Sequence, residues 1–156
     1  MDVNFDVRKI LIPVDFSDAS RKAFYVGIKM ATIFDSDIHV LHVQEPLTTF
    51  ESDYDEVQKT ASDLERLEQG VQRRVDELFE RGGLQAVDRR RVRVDFRGGK
   101  PWQEIVRFAD EQNIDLIVMA THGYSGVKHM LIGSTAERVV RKATCAVLCV
   151  KPDDVE

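Results

Sequence analysis

The sequence has little cysteine and no long apolar run, and each shortage excludes a class of protein. Only two of its 156 residues are cysteines, Cys145 and Cys149, which are too few for a disulfide framework. On one strand they would lie about 13 Å apart, whereas a disulfide needs Cα atoms within about 7 Å. We therefore expect two buried, reduced thiols. No apolar run approaches the ~20 residues of a membrane helix, and the first residues are acidic and unlike a signal peptide. These features predict a cytoplasmic protein with no membrane partner.

The chain also lacks an excess of basic charge. The chain carries 22 basic and 27 acidic residues, for a net charge of -5. This balance gives no general attraction to nucleic acid, so we expect no nucleic-acid partner. The one basic cluster lies between residues 89 and 97. We interpret it as a solvated surface around one strand.

Short apolar runs alternate with helical patterns along the whole chain. Five strand-like runs lie near residues 9–14, 38–43, 92–96, 115–120 and 146–150, and four helical patterns separate them. Such alternation predicts βαβ units and a parallel sheet that helices cover on both faces. The length and the 43% apolar content fit one domain, residues 1–156.

The helical patterns carry local signals for where helices begin and which side is buried. Ser17 is a favoured N-cap, and Ala19, Ala23, Gly27 and Ala31 form a small-residue stripe that would lie close on the sheet. Pro101 suits the first position of a helix. Two apolar stripes are predicted to face inward, one in a long helix (Tyr54, Val57, Ala61, Leu64, Leu67, Val71, Val75, Leu78) and one in the last helix (Ala136, Val139, Val140).

Ligands of open parallel sheets bind beyond the carboxyl ends of the strands, where the strand order reverses. Residues 120–135 join a predicted strand to a helix and exceed the usual 2–6 residues of such a connection. Gly123 and Gly133 would allow close backbone approach, and Ser134 and Thr135 would begin a helix whose free N–H groups attract an anion. The segment therefore predicts a phosphate site. An ordinary long surface loop with a capping hydroxyl stays equally open.

Asp15 and the histidines near the same edge are less specific indicators of function. Asp15 ends the first strand, where it would accept hydrogen bonds from a ribose or an amine, hold magnesium, or cap the next helix. His122 and His129 lie in the long connection. No nucleophile has triad-like spacing to them, so packing or solvent exposure is the favoured interpretation. His39 and His42, on the second strand, are interpreted as structural.

Five segments together resemble the universal stress protein family: residues 14–17 (VDFS), 41–43 (LHV), 99–101 (GKP), 115–119 (DLIVM) and 121–150. ATP-binding members carry glycine, two residues, glycine, nine residues, glycine and a serine or threonine. Gly123, Gly133 and Ser134 match this signature, whereas Ala120 stands in place of the first glycine. A methyl group there costs ~1 kcal/mol or more if the backbone has positive φ, and nothing if it is extended.

The resemblance implies a Rossmann-like open, twisted, five-stranded parallel sheet of order 3-2-1-4-5 with helices on both faces. It implies ATP with Mg²⁺ as the cofactor, Asp15 being the side chain closest to a metal role. It also implies a homodimer formed through the last strand, at about residues 146–151. The implied nucleotide-binding residues are Pro13, Val14, Asp15, Val43, Met119, Ala120, His122, Gly123, Gly133, Ser134 and Thr135.

Three functions compete at this stage. The leading hypothesis is an ATP-binding stress or signalling regulator that acts on an unidentified protein partner. It would not be a fast enzyme, because the sequence lacks a Walker lysine, an arginine finger and a placed base, so ATP hydrolysis would be slow at most. The alternative, which Ala120 favours, is a dimeric interaction module that binds no nucleotide. A true nucleotidyl transferase or pyrophosphatase would need a glycine-rich or histidine motif after the first strand, and residues 14–18 supply neither.

Overall fold

The computed structural model describes residues 5–45, 61–123 and 132–153. Strands and helices alternate through these ranges. In chain order they are β1 (Lys9–Pro13), α1 (Asp18–Phe34), β2 (Asp37–Gln44), α2 (Ala61–Arg81), a 3₁₀ turn (Arg89–Arg91), β3 (Val92–Gly98), α3 (Pro101–Gln112), β4 (Leu116–Ala120), α4 (Ser134–Lys142) and β5 (Ala146–Val150). No helix in the described ranges is long and apolar enough to cross a membrane.

The five strands form one all-parallel sheet in the order β3-β2-β1-β4-β5, as predicted. Alternate residues of the central strand β1 serve two separate cores. Ile10 and Ile12 pack in the core beneath α1 and α2, whereas Leu11 packs in the core beneath α3 and α4. All three are 0% exposed. Helices therefore cover both faces, and the carboxyl ends of the strands share one open edge.

The helix signals in the sequence operate as predicted at α1 and α3. The backbone N–H of Ser20 donates to the Ser17 hydroxyl at 3.2 Å, which caps α1, and α3 begins at Pro101. Gly27 lies so close to the sheet that a Cβ added there would stand 2.5 Å from Ile12 Cδ1. The small-residue stripe thus brings α1 against the central strands.

Three apolar positions predicted to face inward are exposed instead. Val140 is 48% exposed, although Ala136 and Val139 of the same helix are buried. Leu64 and Leu67 are 43% and 36% exposed, because the part of α2 that joins the core comes later in the helix, from residue 71 onward. The predicted stripe residues Tyr54 and Val57 lie outside the described residues.

The two cysteines are half-buried, whereas full burial was predicted. Cys149 lies in β5, which is an edge strand, and Cys145 precedes it. Burial raises the pKa of both thiols, and Asp110 and Asp115 raise that of Cys145 further. Because the thiolate is the reactive form, both cysteines should be poorly reactive at neutral pH.

The arginines between residues 89 and 97 are largely neutralised by neighbouring acids. Arg90 pairs with Asp88 at 2.9 Å, and Arg97 pairs with Glu111 at 2.5 Å. Further pairs join Arg89 to Asp76 and Arg91 to both Asp35 and Asp37. This arrangement supports the interpretation of the cluster as a solvated surface, where such pairs contribute little stability.

Candidate functional site

A cleft of about 490 Å³ opens at the carboxyl ends of β1, β2 and β4. It lies where the chain order reverses, with β2 on one side of β1 and β4 on the other, which is where open parallel sheets bind ligands. Its walls contain every residue that the sequence singled out for the site: Pro13, Val14, Asp15, Val43, Met119, Ala120, His122, Gly123, Gly133, Ser134 and Thr135.

The carboxylate of Asp15 is used by the turn before α1 and also faces the cleft. Its Oδ1 accepts the backbone N–H of Ser17 at 2.9 Å, and its own N–H donates to the Ser20 hydroxyl at 3.1 Å. Its Oδ2 lies so close to Gly123 that an added Cβ there would stand 2.5 Å away. One oxygen of Asp15 thus supports the turn, and the other stands beside Gly123 at the cleft.

Gly133 packs directly on the end of β4. Its N–H donates to the carbonyl of Thr121 at 2.6 Å, and an added Cβ would stand 2.9 Å from that oxygen. Gly133 is also the N-cap of α4, which begins without a side-chain cap. Ser134, Thr135 and Ala136 line the cleft, so the first turn of α4 presents its free N–H groups and dipole there.

Ala120 fits its position without backbone strain. It is the last residue of β4, opposite Val150 of β5. Among the described non-glycine residues, positive φ occurs only at Phe16, Asp35 and Asn113. The methyl group of Ala120 therefore carries no left-handed penalty, and the departure from the family signature has no conformational cost.

Apolar side chains from several strands and from α3 line another part of the cleft. Leu41 and Met119 are buried, and Ile105 of α3 stands behind them. Pro13 and Val43 line the same region. The cleft thus combines apolar side chains from β1, β2, β4 and α3 with the start of α4.

Sequence reasoning missed part of the lining, above all Ser20 and His42. The Nδ1 of His42 lies 2.8 Å from the carbonyl of Val14. Because a carbonyl only accepts, that nitrogen carries the proton. The position of His42 beside Val43 near the end of a predicted strand was the available signal. The other lining residues outside the list of predicted site residues are Leu41, Gln44, Glu45, Pro101, Ile105, Thr121 and Ala136, of which Thr121 lies within the predicted 120–135 segment.

The other histidines divide between the cleft and the core. The Nδ1 of His39 lies 3.2 Å from Asp95 Oδ2, and its ring contacts Phe108, so it joins β2 to β3 beneath α3. His122 lines the cleft, and its Nδ1 lies 2.9 Å from the Thr121 hydroxyl. His129 is outside the described residues. Within the described ranges, no group of three histidine, cysteine or acidic side chains is placed to hold a metal ion.

The sheet order and the cleft at its reversal define a doubly wound α/β protein with an open cleft at the carboxyl edge of the sheet. The chain belongs to the universal stress protein family, whose profile matches residues 6–151. It is 34% identical to universal stress protein MJ0531 of Methanocaldococcus jannaschii, over 92% of this chain and 82% of that protein.

Solved structures show the same fold. The structure of MJ0577, a universal stress protein of the same organism, superposes with a TM-score of 0.71 at 26% identity and covers 96% of this chain and 99% of that one. A universal stress protein in complex with cAMP superposes with a TM-score of 0.66 at 19% identity, over 93% and 97% of the two chains. The second likeness bears on the fold alone.

Proposed function

We propose that this protein binds ATP in the cleft and acts as a nucleotide-responsive regulator. The observation that supports this best is the start of α4, which has no side-chain cap and lines the same cleft as the apolar side chains. The first turn of α4, with the Ser134 hydroxyl, would take the phosphates, and the wall around Val43 and Met119 would take the base. The Oδ2 of Asp15 is placed for a ribose hydroxyl or for Mg²⁺ that arrives with the phosphates.

The fold of this chain is one that holds an adenine nucleotide in another protein, the cAMP complex described above. Two glycines of the cleft, Gly123 and Gly133, give a second argument for phosphate binding. A side chain on Gly133 would fill the space beside Thr121, and a side chain on Gly123 would fill the space beside Asp15. The cleft therefore depends on the absence of a side chain at both positions. This is the arrangement expected where backbone N–H groups approach a phosphate.

We also propose that the protein is not a fast enzyme. The described residues that line the cleft include no lysine or arginine, and the sequence lacks a Walker lysine and an arginine finger. Phosphoryl transfer depends on positioned cations and an oriented nucleophile. Hydrolysis of ATP would therefore be slow. Bound nucleotide would instead change the protein surface at the mouth of the cleft, where a protein partner would bind.

The test is the nucleotide content of freshly purified protein, measured by heat release and chromatography, together with calorimetric titration of Mg-ATP. Co-purified ATP, or saturable binding that weakens in Ser134→Ala, supports the proposal. The absence of both at millimolar ATP contradicts it. The protein would then be the alternative, an interaction module without nucleotide.

We expect Ala120→Gly to change the dissociation constant for ATP by less than about threefold, which is under 1 kcal/mol. The reason is that Ala120 has no positive φ for a glycine to relieve. The measurement is titration of both proteins under the same conditions. A large gain of affinity in the glycine variant over a wild type that binds poorly would favour the nucleotide-free alternative.

We propose further that two copies associate through β5. Its residues 146–149 are half-buried in the single chain, and among the strands that the structure describes it forms an edge of the sheet. Proteins usually cover such apolar edges. Size-exclusion chromatography with light scattering at micromolar concentration should give twice the chain mass of 17.8 kDa. A mass of one chain contradicts this proposal and leaves the ATP proposal unaffected.

A further inference from the structure

The backbone of Phe16 is in the left-handed region, with φ of 65°. Two other described non-glycine residues share this region, and both have an ordinary reason. Asp35 and Asn113 are the C-caps of α1 and α3, where Asn and Asp tolerate the conformation. A bulky aromatic residue there is a genuine outlier. Such strain persists only where the surrounding structure enforces it, and it concentrates at functional sites.

Phe16 is the central residue of the turn that fixes Asp15. The turn closes when the N–H of Ser17 donates to Asp15 Oδ1 at 2.9 Å, and the Ser17 hydroxyl then caps α1. Because Phe16 alone lies between the two partners, its backbone angles determine whether they meet. The same turn sets where Asp15 Oδ2 stands against Gly123.

The ring of Phe16 has contacts that can hold this backbone in place. The guanidinium carbon of Arg74, on α2, lies 4.0 Å from the ring centroid, a distance typical of a cation–π interaction. The ring of His42 lies 5.1 Å from it. His42 is itself anchored on the Val14 carbonyl. Phe16 is not among the residues that line the cleft, so its influence on a ligand passes through Asp15.

We propose that Phe16 is a positioning residue for the cleft. Its left-handed backbone orients the Asp15 carboxylate, and its ring, held by Arg74 and His42, keeps the backbone in that conformation. This inference rests on the proposed binding of ATP for its effect on affinity. Its effect on the turn does not depend on any ligand, because the Ser17 N–H is part of the turn itself.

The test compares Phe16→Ala with Phe16→Gly. Alanine keeps the Cβ that disfavours positive φ and removes the ring contacts, so the turn should open and ATP should bind about tenfold more weakly. Glycine also removes the ring contacts but adopts positive φ freely. We therefore expect Phe16→Gly to bind within about threefold of the wild type. Two readouts apply: the dissociation constant for Mg-ATP, and the hydrogen exchange rate of the Ser17 amide measured by NMR. The amide should exchange faster in Phe16→Ala alone.

Matched variants separate positioning from general destabilisation. Asn113→Ala likewise places an alanine at positive φ, at the end of α3 and outside the cleft lining, and should leave affinity and Ser17 exchange unchanged. Arg74→Ala should weaken ATP binding, whereas Arg73→Ala, at the neighbouring and also exposed position of α2, should not. Equal affinity and equal Ser17 exchange in Phe16→Ala and Phe16→Gly would overturn the inference. If wild type binds no ATP but Ser17 exchange still rises only in Phe16→Ala, the proposed function fails while the role of Phe16 in the turn stands.

Discussion

Replacement of Gly133 by valine is expected to weaken ATP binding at least 100-fold, or about 2.7 kcal/mol, in a protein that still folds. The backbone φ of Gly133 is -73°, which any residue adopts, so the effect comes from contact alone. The added Cβ would stand 2.9 Å from the Thr121 carbonyl and 3.6 Å from His122 Cα. Both are main-chain atoms just after β4, so neither can rotate away as a side chain would. The start of α4 must therefore move from the strand, and its N–H groups move with it.

Gly98→Val is the matched control for this variant. Gly98 is the last residue of β3, and the nearest atom to an added Cβ is the Gln44 carbonyl at 4.0 Å. It is not among the lining residues of the cleft. Calorimetric titration of Mg-ATP should give wild-type affinity for Gly98→Val and none measurable for Gly133→Val. Wild-type affinity in Gly133→Val would mean that ATP does not bind at the start of α4.

The second large effect is on stability and compares two helix glycines. Gly27 in α1 and Gly70 in α2 both lie inside helices, where alanine is favoured over glycine by ~1 kcal/mol. Nothing stands within 4 Å of a Cβ added to Gly70. We therefore expect Gly70→Ala to raise the free energy of unfolding by about 1 kcal/mol.

Gly27→Ala should have the opposite sign. The added Cβ would stand 2.5 Å from Ile12 Cδ1, 2.8 Å from Ile12 Cγ1 and 3.5 Å from Val118 Cβ. Ile12 is 0% exposed, so its side chain has little room to move. Overpacking of this kind costs roughly 1–3 kcal/mol and outweighs the helix gain, and Gly27→Val should cost more than Gly27→Ala. Urea unfolding of all three variants measures the difference. Stabilisation by Gly27→Ala would show that α1 can lift from the sheet without loss.

Much of the fold can be predicted from local sequence patterns, because those patterns reflect interactions between residues close in the sequence. Ser17 marks the start of α1 because its hydroxyl caps the helix, and Pro101 marks the start of α3 because it has no backbone N–H to donate. Continuous apolar runs identify the strands that are buried on both faces. The order of the strands in the sheet, in contrast, cannot be predicted from local patterns. Right-handed crossovers restrict it, but the order 3-2-1-4-5 was available only through the likeness to a family.

The failures concern features that depend on neighbours distant in the sequence. Val140 has helical spacing for burial, yet it is exposed because the inward face of α4 is narrow. The left-handed conformation of Phe16 had no sequence signal, since phenylalanine is not a turn residue. The backbone at Ala120 was undecided from the sequence because its angles depend on the pairing of β4 with β5. For the cleft, the sequence supplied the chemistry of the residues but not the shared use of Asp15 by turn and cleft.

The hydrogen bond from Gly133 to Thr121 has a consequence for how this family of chains can vary. It ties together two points twelve residues apart in sequence at 2.6 Å, so the fold fixes both ends of the intervening segment. Closing a flexible loop costs entropy that grows only with the logarithm of its length, about 0.6 kcal/mol for each doubling. Insertions or substitutions between the two ends are therefore cheap in folding free energy. The start of α4 can therefore keep its place beside the end of β4 even where the length of sequence between them changes.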